Sequence, residues 1–338
     1  MEEKMILPAE EILSAEDEPA RGHIDGELLS FTVSEKLAGN RLDVYLHEKL
    51  PEISRSFLKE RINDGLCSLR GKTVRKAGTS VAAGDEVRIF MPAPVLPEAE
   101  PEDIPLDILY EDDDVLVVNK PKGMAVHPAP GSERGTLVNA LLYHCKGQLS
   151  GINGVLRPGI VHRIDKDTTG SLIVCKNDRA HAAIAAQLKE HSALRVYYAL
   201  AVGNIAEDSG TIRGNIGRDP KDRKRMAVVE EGGKPAVTHF EVLERFGNLT
   251  YLRFRLETGR THQIRVHMKK IRHPLLGDTL YGGEKPGFLL HGQTLHAGTI
   301  GFTHPATGEF LRFDAPLPEY FQELLREFRE AKQAGRML

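Results

Sequence analysis

His162-Arg163-Ile164-Asp165-Lys166-Asp167-Thr168-Thr169-Gly170 runs straight into Ser171-Leu172-Ile173-Val174-Cys175-Lys176-Asn177, so a dense polar stretch feeds an apolar one. The apolar part, Ser171 to Val174, predicts a short strand buried on both faces. A charged loop leading into a buried strand is a usual place for chemistry, because the strand fixes what the loop presents. The same residue types admit a plainer reading, in which Asp165 and Asp167 make local turn and cap hydrogen bonds. Residue types alone leave the two readings open. Leu172 and Ile173 are equally divided between pocket wall and core, since strand side chains alternate.

A second dense run lies downstream: Leu256-Glu257-Thr258-Gly259-Arg260-Thr261-His262-Gln263-Ile264-Arg265-Val266-His267-Met268, followed by His273-Pro274-Leu275-Leu276-Gly277-Asp278. Ile264, His267, Met268 and Ile271 fit the inward face of a helix, which frees Arg260 and Arg265 to meet a phosphate or a carboxylate. A surface position is the alternative for Arg260. His262 and His267 invite a metal reading, but five residues turn a helix by about 500 degrees and the two rings diverge. No metal is expected. Between the runs, Val115 to Val118 predicts another buried strand and Ala180 to Glu190 a helix. Leu252, Phe254 and Leu256 alternate with Tyr251, Arg253 and Arg255 as in a half-buried strand. Tyr320, Phe321, Leu324, Leu325 and Phe328 mark a closing amphipathic helix. Strands and helices do not alternate strictly, so the fold class is α+β with mixed or antiparallel pairing.

The 338 residues are enough for two domains. Five prolines between Met91 and Leu106 predict a semi-rigid linker, because each removes a backbone donor and restricts its neighbour. The division read from the sequence is an acidic disordered tail over 1–30, a small unit over 31–91, the linker over 92–106 and a larger domain over 107–338. In the small unit Leu42, Tyr45, Leu46 and Leu50 recur at helical spacing. A second helix starts with Ser54 as cap, buries Phe57, Leu58 and Ile62, and ends at Gly65. Short strands turn at Arg70-Gly71-Lys72, and Gly84-Asp85 precedes a strand from Glu86 to Phe90. The second helix and the turn carry Arg55, Lys59, Arg61, Arg70, Lys72, Arg75 and Lys76, which form either a solvated face or a phosphate-binding one.

The net charge of -3 hides an asymmetry: the first 38 residues hold ten acidic side chains against three basic, while residues 119–338 hold 32 basic against 22 acidic. Affinity for a polyanion depends on such local fields and not on the chain total. No stretch approaches the roughly 18 to 20 apolar residues of a membrane helix. The acidic N-terminus is unlike a secretory leader, which points to the cytoplasm. Cys67, Cys145 and Cys175 form no CxxC pair, which argues against disulfides and a thiolate zinc site. Neither GSERGT at 131–136 nor YGGEKPG at 281–287 has the lysine, spacing or context of a nucleotide loop, so no nucleotide cofactor is expected.

Several of these runs, in this order, resemble one family. RLDVYLHEKL, SRSFLKERINDG and GDEVRI resemble the S4 RNA-binding module, although SLRGK departs from its usual V-x-V-N-G turn. HRIDKDTTG is similar to the H-R-L-D-x-x-T-[ST]-G of the RluA-type pseudouridine synthases. RVYYALAVG at 195–203 is similar to their R/K-x-Y-x-A segment, and ETGRTHQIRVHM with HPLLGD to their third motif. The resemblance spans roughly residues 30 to 330. With KPAVTHF at 234–240 it is greatest to the large-subunit synthase D subgroup, whose members act on ribosomal RNA.

The resemblance implies a pseudouridine synthase catalytic fold behind an S4-like unit, a structured RNA substrate, and neither cofactor nor metal. It implies Asp165 as catalytic aspartate, Tyr197 as the tyrosine against the base and Arg265 as the aspartate's partner. Arg163 would enter the RNA as the target base leaves its stack, and His162 would support the loop at the RNA-facing surface. Arg260, with Arg55, Lys59, Arg61, Arg70 and Lys72, completes the expected RNA contacts. Transfer RNA is the alternative substrate. A uracil-releasing glycosylase and a non-catalytic RNA-binding assembly factor are the competing activities.

Overall fold

The computed structural model describes residues 26–338 except 52, 54, 93–98, 130, 153–157, 223–224, 284–289 and 337–338. The chain divides into two compact units, Met1–Val95 and Leu96–Leu338. In the first, strands β1 (Gly26–Thr32), β2 (Cys67–Leu69), β3 (Lys72–Thr73) and β4 (Glu86–Pro92) form an antiparallel sheet in the order β1-β4-β2-β3. Helices α1 (Leu42–Lys49) and α2 (Arg55–Asn63) bury Leu42, Tyr45, Leu46, Leu58 and Ile62 with Val87 and Ile89 of the sheet.

Three expectations for this unit change. Strand β1 begins inside the stretch read as tail, because Leu28 is buried and the full length of the strand pairs with β4. Phe57 is 40% exposed, turned outward beneath the Arg61 guanidinium, which lies 4.8 Å from the ring centre. The linker is shorter than 92–106: Pro92 ends β4, and residues 99–106 lie against the larger unit. There Glu102 donates its backbone N–H to the Asn139 carbonyl, Asn139 returns a bond to the Glu100 carbonyl, and Ala99 and Leu106 pack on the core. The Ser54 cap and residues 1–25 of the tail lie outside the described residues.

The larger unit is built on a ten-stranded mixed sheet. Its strands are β5 (Ile108–Glu111), β6 (Val115–Lys120), β7 (Thr169–Cys175), β8 (Leu194–Val202), β9 (Ser209–Arg218), β10 (Met226–Val229), β11 (Lys234–Arg245), β12 (Leu249–Leu256), β13 (Leu295–Thr303) and β14 (Phe310–Asp314). Their order is β10-β9-β11-β12-β8-β13-β7-β6-β5, with β14 on β13. All pairings are antiparallel except β13 with β7. Among the described residues four helices complete the unit: α3 (Leu137–Cys145), α4 (Asp178–Lys189), α5 (Gln263–Lys270) and α6 (Glu319–Gln333).

Alternation along the strands divides the core by face. Leu116, Val118, Leu172, Val174, Tyr197, Ala199, Leu252 and Phe254 meet α3 and the Ile264 and Met268 side of α5. On the other face α4 covers Val115, Val117, Ile173 and Cys175, and α6 covers Leu200, Leu249 and Tyr251. Tyr251 is therefore buried, against the half-exposed expectation, because helices cover both faces where it lies. Leu172 and Ile173 are both core residues, on opposite faces. Among the described residues no helix is long and apolar enough to cross a membrane, and all three cysteines are free and buried.

Candidate active site

The polar run ends where the sheet is tightest. At Gly170, φ is +108° and an added Cβ would sit 2.2 Å from the Ala297 carbonyl oxygen of β13. Only glycine fits that approach, so the parallel β7–β13 contact and the loop before it are set by one residue. Upstream, Ile160 bridges to Val174, and the Thr168 N–H bonds the Asp165 carbonyl to close a turn. That turn is closed by backbone. The Asp165 carboxylate is thereby free to reach across the fold: Oδ2 accepts from Nη1 of Arg265 at 2.9 Å.

Arg265 is held by a second carboxylate. Its Nε and Nη2 donate to both oxygens of Asp278 at 2.7 and 2.9 Å, and the Asp278 side chain has no exposure. The Asp165 side chain keeps 16% of its surface, so the chain of three charges runs from full burial to a cleft. Burial alone would lower the Arg265 pKa; the hydrogen bonds and charges of Asp278 and Asp165 hold it above its ordinary value. The backbone N–H groups of Leu280 and Tyr281 also reach Asp278, at 3.2 Å each.

A cleft of about 540 Å³ opens over this chain, lined by Arg163, Asp165, Arg195, Tyr197, Arg260 and Arg265 among others. It brings Asp165, Tyr197 and Arg265 together from a loop, β8 and α5. Tyr197 is 8% exposed, and burial, with the charge of Asp165, raises its phenol pKa, so the ring is neutral. Arg163 is exposed, with Nη1 3.5 Å from His127 Nε2. Arg260 donates Nε to the Pro235 carbonyl at 3.0 Å. His162 is half-buried and lines the cleft; its Nε2 accepts the Ile173 N–H at 2.9 Å, and burial pushes its pKa down to about 3. The imidazole is neutral and committed to tying the loop to β7.

Residues without an expected role complete the site. Lys120, 1% exposed, donates Nζ to the carbonyls of Pro121, Met124 and Lys166 at 2.8, 2.8 and 3.0 Å. It thus pins the residue after Asp165 to the end of β6. Burial lowers its pKa to about 7, with Asp167 and Asp165 opposing that shift. His262 sits at φ +56° as the N-cap of α5, its Nε2 3.9 Å from Asp165. The Tyr281 hydroxyl accepts the Met226 N–H at 2.9 Å and is hydrogen-bonded to His262 Nδ1, also at 2.9 Å, which holds the ring beside Asp165. Gln263 ties α5 to β11 through Thr238 and the Val237 carbonyl. The pairing of HPLLGD with the second run was a signal for Asp278; nothing local marked Lys120.

In the smaller unit, Arg55 pairs with Asp43, Arg61 with Glu60 and Asp64, and Arg70 with Asp85, while Lys59 and Lys72 are exposed. Three of the five expected contacts there are engaged in pairs within the unit. Among the described residues no group of three His, Cys, Asp or Glu side chains is disposed to hold a metal ion.

Residues 114–270 match the family model for RNA pseudouridylate synthases. The RNA pseudouridine synthase YlyB of Bacillus subtilis is 51% identical over 89% of this chain and 98% of its own length. Ribosomal large subunit pseudouridine synthase D of Zymomonas mobilis is 46% identical over 87% of this chain and 96% of its own. Among solved structures, human RNA pseudouridylate synthase domain containing 1 superposes with a TM-score of 0.52 at 27% identity, covering 68% of this chain and 96% of that one.

Proposed function

The chain belongs to the RluA-type family of RNA pseudouridine synthases, and from that premise we propose that it converts particular uridines of large-subunit ribosomal RNA to pseudouridine, with the Asp165 carboxylate as the catalytic group. One observation carries the catalytic assignment: Asp165 is the partly exposed end of an otherwise buried carboxylate–guanidinium–carboxylate chain, and it opens into the cleft. The ribosomal substrate is supported by relatives named for the large subunit, 43% to 46% identical over most of the chain.

The reaction breaks the bond from ribose C1′ to uracil N1, turns the base, and joins C1′ to C5. The C5 proton leaves and N1 gains one, so mass is unchanged and no oxidant or energy source is consumed. Asp165 either attacks C1′ or removes a ribose proton, and in both routes Arg265 holds the reacting carboxylate in place. The uridine must first leave its stack, at a cost on the order of a few kcal/mol. Stacking on the flat ring of Tyr197 returns roughly 1 to 3 kcal/mol. Arg163, exposed at the cleft, fills the place of the departed base. His262 and Lys120 keep the carboxylate aimed. The N-terminal unit acts as an S4-like RNA-binding module, with Lys59 and Lys72 meeting phosphates, and the protein works in the cytoplasm.

Mapping pseudouridine in ribosomal and transfer RNA from cells with and without this protein tests the reading. Sites in large-subunit RNA that vanish with the protein are the expected result. Loss confined to transfer RNA would overturn the substrate, and an unchanged map would overturn the activity.

A further inference from the structure

Arg195 is a buried cation of the cleft that the reading above leaves without a role. It lies on β8 two residues before Tyr197, so both side chains leave the same face of the strand and line the same cleft. It is 6% exposed. Among the described residues it makes no ion pair; Nη2 donates to the Glu257 carbonyl at 2.7 Å, and the buried Nε has no hydrogen-bond partner. Room for it is made by Gly259, where an added Cβ would sit 2.8 Å from Arg195 Nη1. The contrast with Arg265, which serves two carboxylates, is sharp.

A buried cation with no counter-charge is costly, and such a cost is sustained where an anion arrives. Burial lowers the Arg195 pKa; the Tyr197 phenol beside it opposes the shift, and the charge of Arg260 adds to it. Two anions enter this cleft in the reaction proposed above: a backbone phosphodiester, and the uracil itself. When the C1′–N1 bond breaks, its electron pair stays with the base, and negative charge spreads over N1, O2 and O4. Asp165 acts on the sugar, and its charge is already matched. Arg163 is exposed and suits a phosphodiester on the solvent side, whereas Arg195 is buried on the strand face that carries Tyr197, on which the reading above stacks the base.

We infer that Arg195 is a catalytic residue that stabilises the negative charge on uracil as it leaves C1′, through a guanidinium set in place before the substrate arrives. A fixed donor of this kind acts most strongly in a water-excluded site and needs no reorganisation when the bond breaks. The inference rests on the synthase reading but is independent of whether Asp165 attacks the sugar or takes its proton, since both routes expel the same anion.

The test compares full-length wild type, Arg195→Met and Arg195→Lys on an RNA fragment containing a mapped target uridine. A second fragment carries 5-fluorouridine there, whose N1 anion is the better leaving group. Affinity is measured separately from the single-turnover rate, read as loss of the N1-linked nucleoside. Arg195→Met is expected to slow uridine turnover by on the order of 100-fold, the scale for loss of one oxyanion donor. Kd is expected to stay unchanged, the defect to shrink with 5-fluorouridine, and Arg195→Lys to fall between.

A Kd that weakens in step with the rate would make Arg195 a phosphate anchor. Equal slowing on both fragments would make it structural, and either result overturns the inference. Should Arg195→Met fail to fold, the dependence of Arg195→Lys on the leaving group decides the matter in the same way. Inactive wild type would defeat the synthase reading and this inference with it; active wild type with an unimpaired Arg195→Met variant would defeat this inference alone.

Discussion

Arg265 faces two carboxylates with one guanidinium, and its planar fork is what allows this: Nε and Nη2 take Asp278 while Nη1 remains for Asp165. Truncation to Met would strand a fully buried Asp278 and a largely buried Asp165. Breaking a buried pair from one side costs about 3–5 kcal/mol, and urea unfolding of Arg265→Met is expected to show a loss of that order along with loss of turnover. Asp165 and Arg265 lie in dense polar runs, and the family resemblance is what picked out these two together with Tyr197. Asp278 lies in HPLLGD, but its role as the second carboxylate on Arg265 was hidden, because the partner is 13 positions away and the contact exists only after α5 and the following turn have packed. Arg195 stands at the R/K position of RVYYALAVG, but its burial without a counter-charge shows only once both flanking strands are in place.

Elements aim the site as much as residues do, and the tie between β6 and the Asp165 loop shows how. The three donors of the Lys120 ammonium match three carbonyls, one of them on Lys166. Lys120→Met would leave those carbonyls unpaired and let the loop drift. Displacement by about 1 Å can cost on the order of 100-fold in rate. A fall in kcat of about 10- to 100-fold with unchanged RNA affinity is therefore expected, measured by single-turnover and binding assays on the same RNA. The two buried strands, the α4 region and the closing helix were legible from periodicity. Errors arose where periodicity has a second solution. Tyr251 lies on a face that α6 covers from far along the chain. Phe57 was expected inward from its helical spacing, yet it supports Arg61 at the surface. Strand β1 was hidden by the acidic, proline-bearing stretch before it, and its partner β4 lies about sixty residues on.

The molecule as a whole carries a store of neutral histidines. Burial pushes His162 to about 3 and His267 to about 4, and lowers His181, His262 and His296 as well. The unfolded chain takes up these protons below about 6.5, the folded one only near 3 to 4. The unfolded state thus binds more protons across that window, so stability is full above it and falls as pH drops through it. Thermal melting is expected to show Tm declining from pH 6.5 toward 4, and His162→Gln, which keeps an acceptor for the Ile173 N–H, is expected to flatten the decline. The α+β class and the presence of two units are readable in the sequence, but the reach of each unit is not. Residues 99–106 look like linker by composition and behave as part of the larger unit because Asn139 supplies their hydrogen bonds. All of this architecture serves one carboxylate, and Asp165→Asn interrogates it with almost no change of shape. Pseudouridine formation under single turnover should disappear while affinity for the same RNA is retained; turnover at the wild-type rate would contradict the account.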